Sequence, residues 1–194
     1  MEVNHRAKVI LSSEIPGAEY ASARRYLHSI TGDVDFQKHG DRFVFIKEDS
    51  YVDGIHVYSH LAHHHAQPLG DRTLLIKSDD GKFVKDAFRH ELAFVVGDVL
   101  FTGCAHNGIL NILESIQEPV RLSIGGFHLL DSHLSEHYET DEQLRDISSE
   151  LARRYPDMDF YTGHCTGEHC YGVLSEEKGL QLHQFHCGDE IDRG

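Results

Sequence analysis

The chain reads as a layered α/β sandwich, and three features of its order predict that class. Short apolar strands crowd the first half, helix and strand alternate in the second, and no solenoid repeat, low-complexity tract or linker interrupts the 194 residues. Strands followed by helix–strand alternation pack as sheet and helix layers around a shared core. The length gives one domain, residues 1–194, with room for a sizeable core and too little chain for two comfortable ones.

The elements follow in order. Lys8 to Ser12 is a short buried strand, broken by Ile15-Pro16-Gly17. Ala18 to Ile30 places Tyr20, Ala23, Tyr26, Leu27 and Ile30 near helical spacing, so a helix is predicted there, ended by Thr31-Gly32. Arg42 to Ile46, Gly54 to Tyr58 and Thr73 to Lys77 read as strands, the last after the turn-rich Pro68-Leu69-Gly70-Asp71. Asp79-Asp80-Gly81 turns the chain into Lys82 to Lys85. Leu92 to Val96 and Val99 to Thr102 form a hairpin about Gly97-Asp98. A helix over Asn107 to Glu118 carries Ile109, Ile112, Leu113 and Ile116 on one face, and Pro119 stops it before the strand Val120 to Ile124. Thr140-Asp-Glu-Gln143 is a capping box, predicting a helix from Asp141 to about Arg154 with Leu144, Ile147 and Leu151 inward. Asp159 to Thr162 is a strand, Gly167 to about Glu177 a helix, and Leu180 to Phe185 a last strand.

Charge narrows the function classes. Eighteen Lys and Arg face 32 Asp and Glu, a formal charge of −14, with no basic block. So acidic a chain is a poor match for nucleic acid or an anionic membrane. No apolar run approaches the ~20 residues of a membrane helix, and the N-terminus carries no signal-peptide core, so a cytoplasmic protein acting on a small-molecule substrate is expected. The four cysteines show no CxxC spacing and are expected to be reduced.

Seventeen histidines carry the sharper signal. Three segments share one design: Leu100 to His106, Leu122 to His128, and Phe160 to His164. In each an apolar strand runs into Gly and a His follows within a few residues. Ligands in open α/β sheets collect beyond the carboxyl ends of the strands, so three imidazoles delivered there can converge on one metal. Any single one is more often a hydrogen-bonded loop residue; three copies tip the balance. Zinc suits His106, His128 and His164, and three nitrogen ligands leave a position for water; iron and manganese accept the same donors. His60-Leu-Ala-His63-His64-His65 precedes Pro68 and reads as a solvated loop. His90-Glu91 is either a pair supporting a ligand or a strand boundary. Cys104 and Cys165 read as small buried hydrophobes beside the candidate ligands, and Asp131 as a loop carboxylate. Gly163 to Gly167 resembles a weak anion nest. There is no GxSxG elbow, no GxxxxGK[ST] loop and no GxGxxG after a strand.

The segments FTGCAHNGILNILE (Phe101 to Glu114), IGGFHLL (Ile124 to Leu130) and YTGHCTGEHCYGVL (Tyr161 to Leu174) closely resemble one branch of the metallo-β-lactamase superfamily. It is the branch of 7,8-dihydropterin-6-methyl-4-(β-D-ribofuranosyl)aminobenzene 5'-phosphate synthase-like metal-dependent hydrolases. FRHELAFVV and the terminal HCGDEI are similar to it as well; the likeness covers the chain from about Lys82 onward and is looser before that. The resemblance implies an αββα sandwich with a metal site at one edge. His106 matches the family's metal-binding His after the GC-x-H turn and His164 its final His. His128 falls where many members place a bridging Asp.

One departure stands out: the superfamily's HxHxDH motif is nowhere in the sequence, and HLAHHH at His60 lacks its spacing and its Asp. The resemblance implies that this chain corresponds to the C-terminal part of the family fold, lacking an N-terminal portion of one sheet. The expectation is then either a metal-dependent hydrolase attacking an ester, phosphoester or lactone, or a non-catalytic metal- or small-ligand-binding remnant, with a His-rich metal buffer as a third reading. Strand faces at Val9–Leu11, Phe43–Ile46 and Leu74–Ile76 are expected to lie open, favouring a homodimer or a rearrangement around the Ala18–Ile30 helix.

Overall fold

The computed structural model describes residues 4, 6–133 and 136–191. In chain order the strands are β1 (Val9–Ser12), β2 (Tyr20–Ser22), β3 (His28–Ser29), β4 (Phe43–Ile46), β5 (Ser50–Val52), β6 (Ile55–Tyr58), β7 (Leu74–Lys77), β8 (Phe83–Lys85), β9 (Ala93–Val96), β10 (Val99–Phe101), β11 (Leu122–Ile124), β12 (Asp159–Thr162) and β13 (Gln181–Gln184). The helices are α1 (Ile109–Ser115), α2 (Asp141–Arg154) and α3 (Glu168–Leu174). A seven-stranded sheet runs β13-β12-β11-β10-β9-β6-β5, with a four-stranded sheet β3-β2-β7-β8 and the ribbon β1-β4. The mixed α/β class holds.

The large sheet is parallel in one half and antiparallel in the other. β10, β11, β12 and β13 pair parallel, and α1, α2 and α3 make the three crossovers between them. Phe101, Ile124 and Tyr161 stand in register across the three central strands. Parallel pairing therefore sends the chain out of β10, β11 and β12 at one edge, and each of the three His segments leaves from it. β9, β6 and β5 continue the sheet antiparallel.

Alternation along β6 and β9 divides two cores. Tyr58, Ala93 and Val95 face a core built with Leu100, Ile112, Phe127, Leu144, Leu151, Phe160 and Leu174, to which all three helices contribute. Val57 faces the other way, into a smaller cluster with Ile46 and Leu92, padded by Ile10, Val44 and Phe94. The β1-β4 ribbon thus covers the face opposite the helices.

The capping box forms as expected: Thr140 Oγ1 accepts from Gln143 N, and Thr140 N donates to Gln143 Oε1. Two helices are shorter than predicted, α1 beginning at Ile109 rather than Asn107 and α3 ending at Leu174 rather than about Glu177.

The Ala18–Ile30 helix is a correction. Residues Tyr20–Ser22 pair antiparallel with β7 and with β3 instead. Tyr26, Leu27 and Ile30, three of the five residues of the expected stripe, are exposed, and Arg25 takes a left-handed φ of 66°. A helix with no surface to receive its apolar face has little to hold it, and sheet pairing wins. Of the strand faces expected to be open, Val9 and Phe45 are exposed, while Ile46 is buried and Leu74, Leu75 and Ile76 are half-buried. Among the described residues no helix is long and apolar enough to cross a membrane.

Candidate metal centre

Two of the three histidines singled out by their strand–Gly–His setting meet. The His106 and His128 rings stand 4.2 Å apart, centroid to centroid. Both address a carboxylate that the sequence did not point to: Asp71 Oδ1 lies 2.6 Å from His106 Nδ1 and 3.3 Å from His128 Nε2. Asp71 is fully buried. One donor atom from each of the three residues lies within 4.8 Å of the others.

Local structure explains how Asp71 arrives there. It sits in a 3-10 turn, Leu69–Thr73, held against the loop between β11 and α2. Leu69 N donates to Glu139 Oε1 at 2.6 Å and Arg72 Nη1 to the His137 carbonyl at 2.6 Å, while the Arg72 guanidinium lies over the Tyr138 ring. Gly70 lets the turn close on His128: a Cβ there would come within 2.9 Å of the His128 ring and of Leu130.

The GC-x-H turn is fixed from below by Glu91. Its Oε1 accepts from His106 N, and its Oε2 from Asn107 N and Nδ2, all at 2.7–2.8 Å. His90-Glu91 precedes β9, and of the two residues Glu91 alone makes the contacts that fix the turn. Phe88 stacks on His106 at 4.4 Å with a 4° interplanar angle, closing the other face of the imidazole.

The backbone here is unusual. Among the described residues six non-glycine positions have positive φ, and four of them are Phe88, Ala105, His128 and His164. Left-handed backbone costs a non-glycine residue on the order of 1–3 kcal/mol and collects at functional sites. Each of the three His loops carries one such residue.

Electrostatics follow from the contacts. Burial pulls the His106 imidazole down, but its bonds to Asp71 and Cys104 and the charges of Asp71 and Glu91 lift it to about 10. Beside Asp71, Cys104 and Glu91 the imidazolium is thus the favoured form. Cys104 is drawn below the usual thiol range by Cys165, His106 and His128, while Cys165, beside Cys104 and half-buried, is pushed up. A second group of donors gathers here, with Cys104, His128 and Cys165 offering atoms within 4.8 Å of one another.

The donor chemistry fits a divalent metal ion. Asp71 Oδ2 and His128 Nδ1 are both buried with no hydrogen-bond partner. Buried polar atoms are nearly always satisfied, and an orphaned carboxylate oxygen beside two imidazoles is the condition that a cation relieves. His106, His128 and Asp71 are the residues that could hold it.

The other singled-out residues fall elsewhere. His164 leaves the same sheet edge but is exposed and stands in neither donor group. Asp131 accepts from His169 N and Cys170 N at the start of α3. His60 and His64 are exposed and His65 half-buried in a loop, where His64 and His65 pair with Glu114 and His60 stands near Asp49. Cys104 and Cys165 are half-buried rather than buried, and all four thiols are free. Asp71 was missed because a turn-forming LGD gives no sign of burial; the one available signal was a carboxylate beside a glycine that needs no side-chain room.

A mixed α/β fold with His and Asp donors gathered beyond the parallel strand ends defines a class: layered sandwiches with a cation centre at one edge. Comparison with known proteins shows what the chain is similar to. No family model matches. The chain is 28% identical over 126 residues to 7,8-dihydropterin-6-methyl-4-(β-D-ribofuranosyl)-aminobenzene-5'-phosphate synthase of Methanocaldococcus jannaschii, covering 60% of this chain and 40% of that protein. It is 30% identical over 101 residues to an uncharacterised protein of the same organism, covering 50% of this chain and 35% of the relative. The chain therefore spans well under half the length of these relatives. Among solved structures, Tm1679, described as a metal-dependent hydrolase of the β-lactamase superfamily, superposes with a TM-score of 0.73 at 23% identity, over 95% of this chain and 70% of that one. The fold is that of the metallo-β-lactamase superfamily, and the sequence is similar to the dihydropterin-phosphate-synthase branch, as the three His loops had indicated.

Proposed function

We propose that the Asp71–His106–His128 cluster holds a divalent metal ion and that the protein acts as a metal-dependent hydrolase on an ester, phosphoester or lactone-type bond. One observation carries the reading: a fully buried carboxylate with one unpartnered oxygen, set between two imidazoles at the edge where three parallel strands end. Zinc is the metal that this donor set suits best, with iron and manganese also compatible. The similarity to a synthase named for a phosphorylated dihydropterin compound and the fold shared with a protein described as a metal-dependent hydrolase support the reading.

When bound, a divalent cation supplies Lewis-acid polarisation of the scissile group and acidification of a water molecule. The chain's own residues do the positioning. Asp71 keeps Oδ1 against His106 Nδ1, which orients the ring, and leaves Oδ2 free to serve as the oxygen donor. Phe88 shields the outer face of that ring and Glu91 locks the backbone that carries it. His164, exposed at the lip, is a further imidazole within the same edge and a proposed third nitrogen donor.

A second reading is that the same cluster binds metal or a small ligand without turnover. Elemental analysis after zinc loading and dialysis, set beside hydrolysis of a panel of chromogenic phosphoesters, esters and lactones, tests both. A fall of one equivalent in bound metal in His106→Ala and in His128→Ala, with turnover by the wild type, supports the hydrolase. Bound metal without turnover on any member favours the binding module. A chain that retains no metal overturns both.

A further inference from the structure

Beside the cluster just described lies a pair of thiols that the proposed hydrolytic site does not use. Cys104 follows Gly103 after β10, and Cys165 follows His164 after β12. Cys165 Sγ lies 3.7 Å from the Cys104 carbonyl oxygen. Both thiols, together with one nitrogen of His128 from the loop after β11, fall within 4.8 Å of one another. Three loops from three neighbouring parallel strands each deliver one donor.

The packing leaves room for this convergence at one position. A Cβ on Gly126 would come 2.3 Å from Cys165 Sγ, 3.2 Å from the Gly163 carbonyl and 3.6 Å from Cys104 Cα. Glycine is the residue that lets the third loop pass between the two cysteines. Both cysteines are half-buried, partly screened from solvent yet reachable.

We infer that Cys104, Cys165 and His128 form a sulfur-rich cation site, selective for zinc, cadmium, cobalt or cuprous copper over magnesium or calcium. Thiolate and imidazole are the donors that soft and borderline ions prefer, while hard ions favour oxygen. With metal–sulfur bonds of about 2.3 Å and metal–nitrogen bonds of about 2.0–2.1 Å, tetrahedral donors stand roughly 3.4–3.8 Å apart. The observed cluster needs a contraction of about 1.4 Å at most to close on an ion. Binding forms two metal–sulfur bonds and releases whatever proton the Cys104–Cys165 pair still carries to solvent, with no change in oxidation state. The site shares His128 with the one proposed above but draws nothing from Asp71 or His106, so the two can fail separately.

The test uses the full chain and cobalt(II) as the probe. Visible ligand-field bands report cobalt bound by any donors; a near-ultraviolet band arises only from thiolate-to-cobalt charge transfer. We expect that near-ultraviolet band in the wild type, in Cys187→Ser and in Asp71→Asn, and its loss in Cys104→Ser and in Cys165→Ser. Ligand-field bands without the charge-transfer band overturn the sulfur site and leave the Asp71 site standing. A band that disappears only in Cys187→Ser overturns it too. Should a cysteine variant fail to fold, alkylation of the wild-type protein decides. Cadmium is expected to protect Cys104 and Cys165, but not exposed Cys187, from iodoacetamide, as read by peptide mass spectrometry. Equal labelling with and without cadmium overturns the inference.

Discussion

The two ends of the large sheet bury themselves very differently. From β9 onward, Leu100, Ile112, Leu144, Leu151, Phe160 and Leu174 are all completely inaccessible, and one core unites every helix with the parallel strands. Before β9, the separate cluster has only Ile46, Val57 and Leu92 as its buried members, while Tyr26, Leu27, Val34, Phe45 and Tyr51 face solvent. Yet the weaker region supplies Asp71, the carboxylate at the heart of the candidate metal centre, and its Phe88 covers His106. The candidate centre thus draws on both regions, with His106 and His128 from the parallel strand ends and Asp71 and Phe88 from the first half. The parallel half holds the edge in place, and the first half reaches over it with a loop.

The largest effect should come from breaking the parallel half. Phe160 is fully buried in β12 and meets Phe127 edge-on, with ring centroids 6.4 Å apart. Phe160→Ala should cost about 3–5 kcal/mol, the transfer free energy of the ring plus a cavity that the surrounding helices cannot fill. Phe45, 43% exposed in β4, should lose less than about 1 kcal/mol on the same change. Urea denaturation monitored by far-ultraviolet circular dichroism measures both. Similar midpoints for the two variants would remove the contrast between the halves.

This contrast also explains what the sequence could and could not say. β12 was legible to the residue and α2 from its first residue, because Asp159–Thr162 lies between strong breaks and Thr140 to Gln143 is a self-contained cap. The convergence of His106 and His128 was legible because strand, Gly and His recur at parallel strand ends. Residues 18–30 were not, because Tyr20, Ala21 and Ser22 take their conformation from β7, more than fifty positions later, rather than from local spacing. Asp71 was not legible for a related reason. Its burial is created by Glu139, His137 and Tyr138 clamping the turn, contacts between segments more than sixty positions apart.

The next prediction sharpens the division of labour at the centre itself. Asp71→Asn keeps the shape and removes the charge of the oxygen donor, and should weaken zinc binding by more than roughly 10-fold, since even a carboxylate that only orients a ligating histidine is worth ~10- to 100-fold. His164→Ala, at an exposed position outside the donor cluster, should weaken it less. The pH dependence adds a sign. A metal ion competes with the proton on His106, whose affinity for that proton is raised by Asp71 and Cys104 to about 10 despite burial. Zinc affinity in the wild type should therefore climb as pH rises through neutrality and level off near about 10. In Asp71→Asn the plateau should begin at lower pH, because the proton is held less tightly, while its height falls. Chelator competition across roughly pH 6 to 11 reads both features, spanning the ordinary histidine range near ~6.5 and the raised value of about 10. A variant with the wild-type slope would show that Asp71 does not set the His106 proton affinity.

The smallest expected effect probes whether the parallel half owes its firmness to local signals or to packing. α2 is the longest helix among the described residues, and its capping box satisfies Gln143 N and Thr140 N reciprocally. Asp141 and Glu142 in its first turn and Arg153 and Arg154 in its last complement the helix dipole. Inward, Leu144 and Leu151 are completely buried. Removing the cap with Thr140→Ala should cost about 1 kcal/mol, the ordinary loss for an N-cap hydroxyl. Leu144→Ala should cost about 2–5 kcal/mol, because it empties a site with no solvent access. If packing governs, the cap variant should lower the midpoint without changing the slope of the denaturation curve, since the helix still docks and the surface exposed on unfolding is unchanged. Hydrogen exchange adds the local view: protection at the first turn of α2 should fall in Thr140→Ala while protection through β12 stays near the wild-type level. Loss of protection throughout β12 in that variant would mean that the cap, rather than the Leu144–Leu151 face, anchors the helix to the sheet.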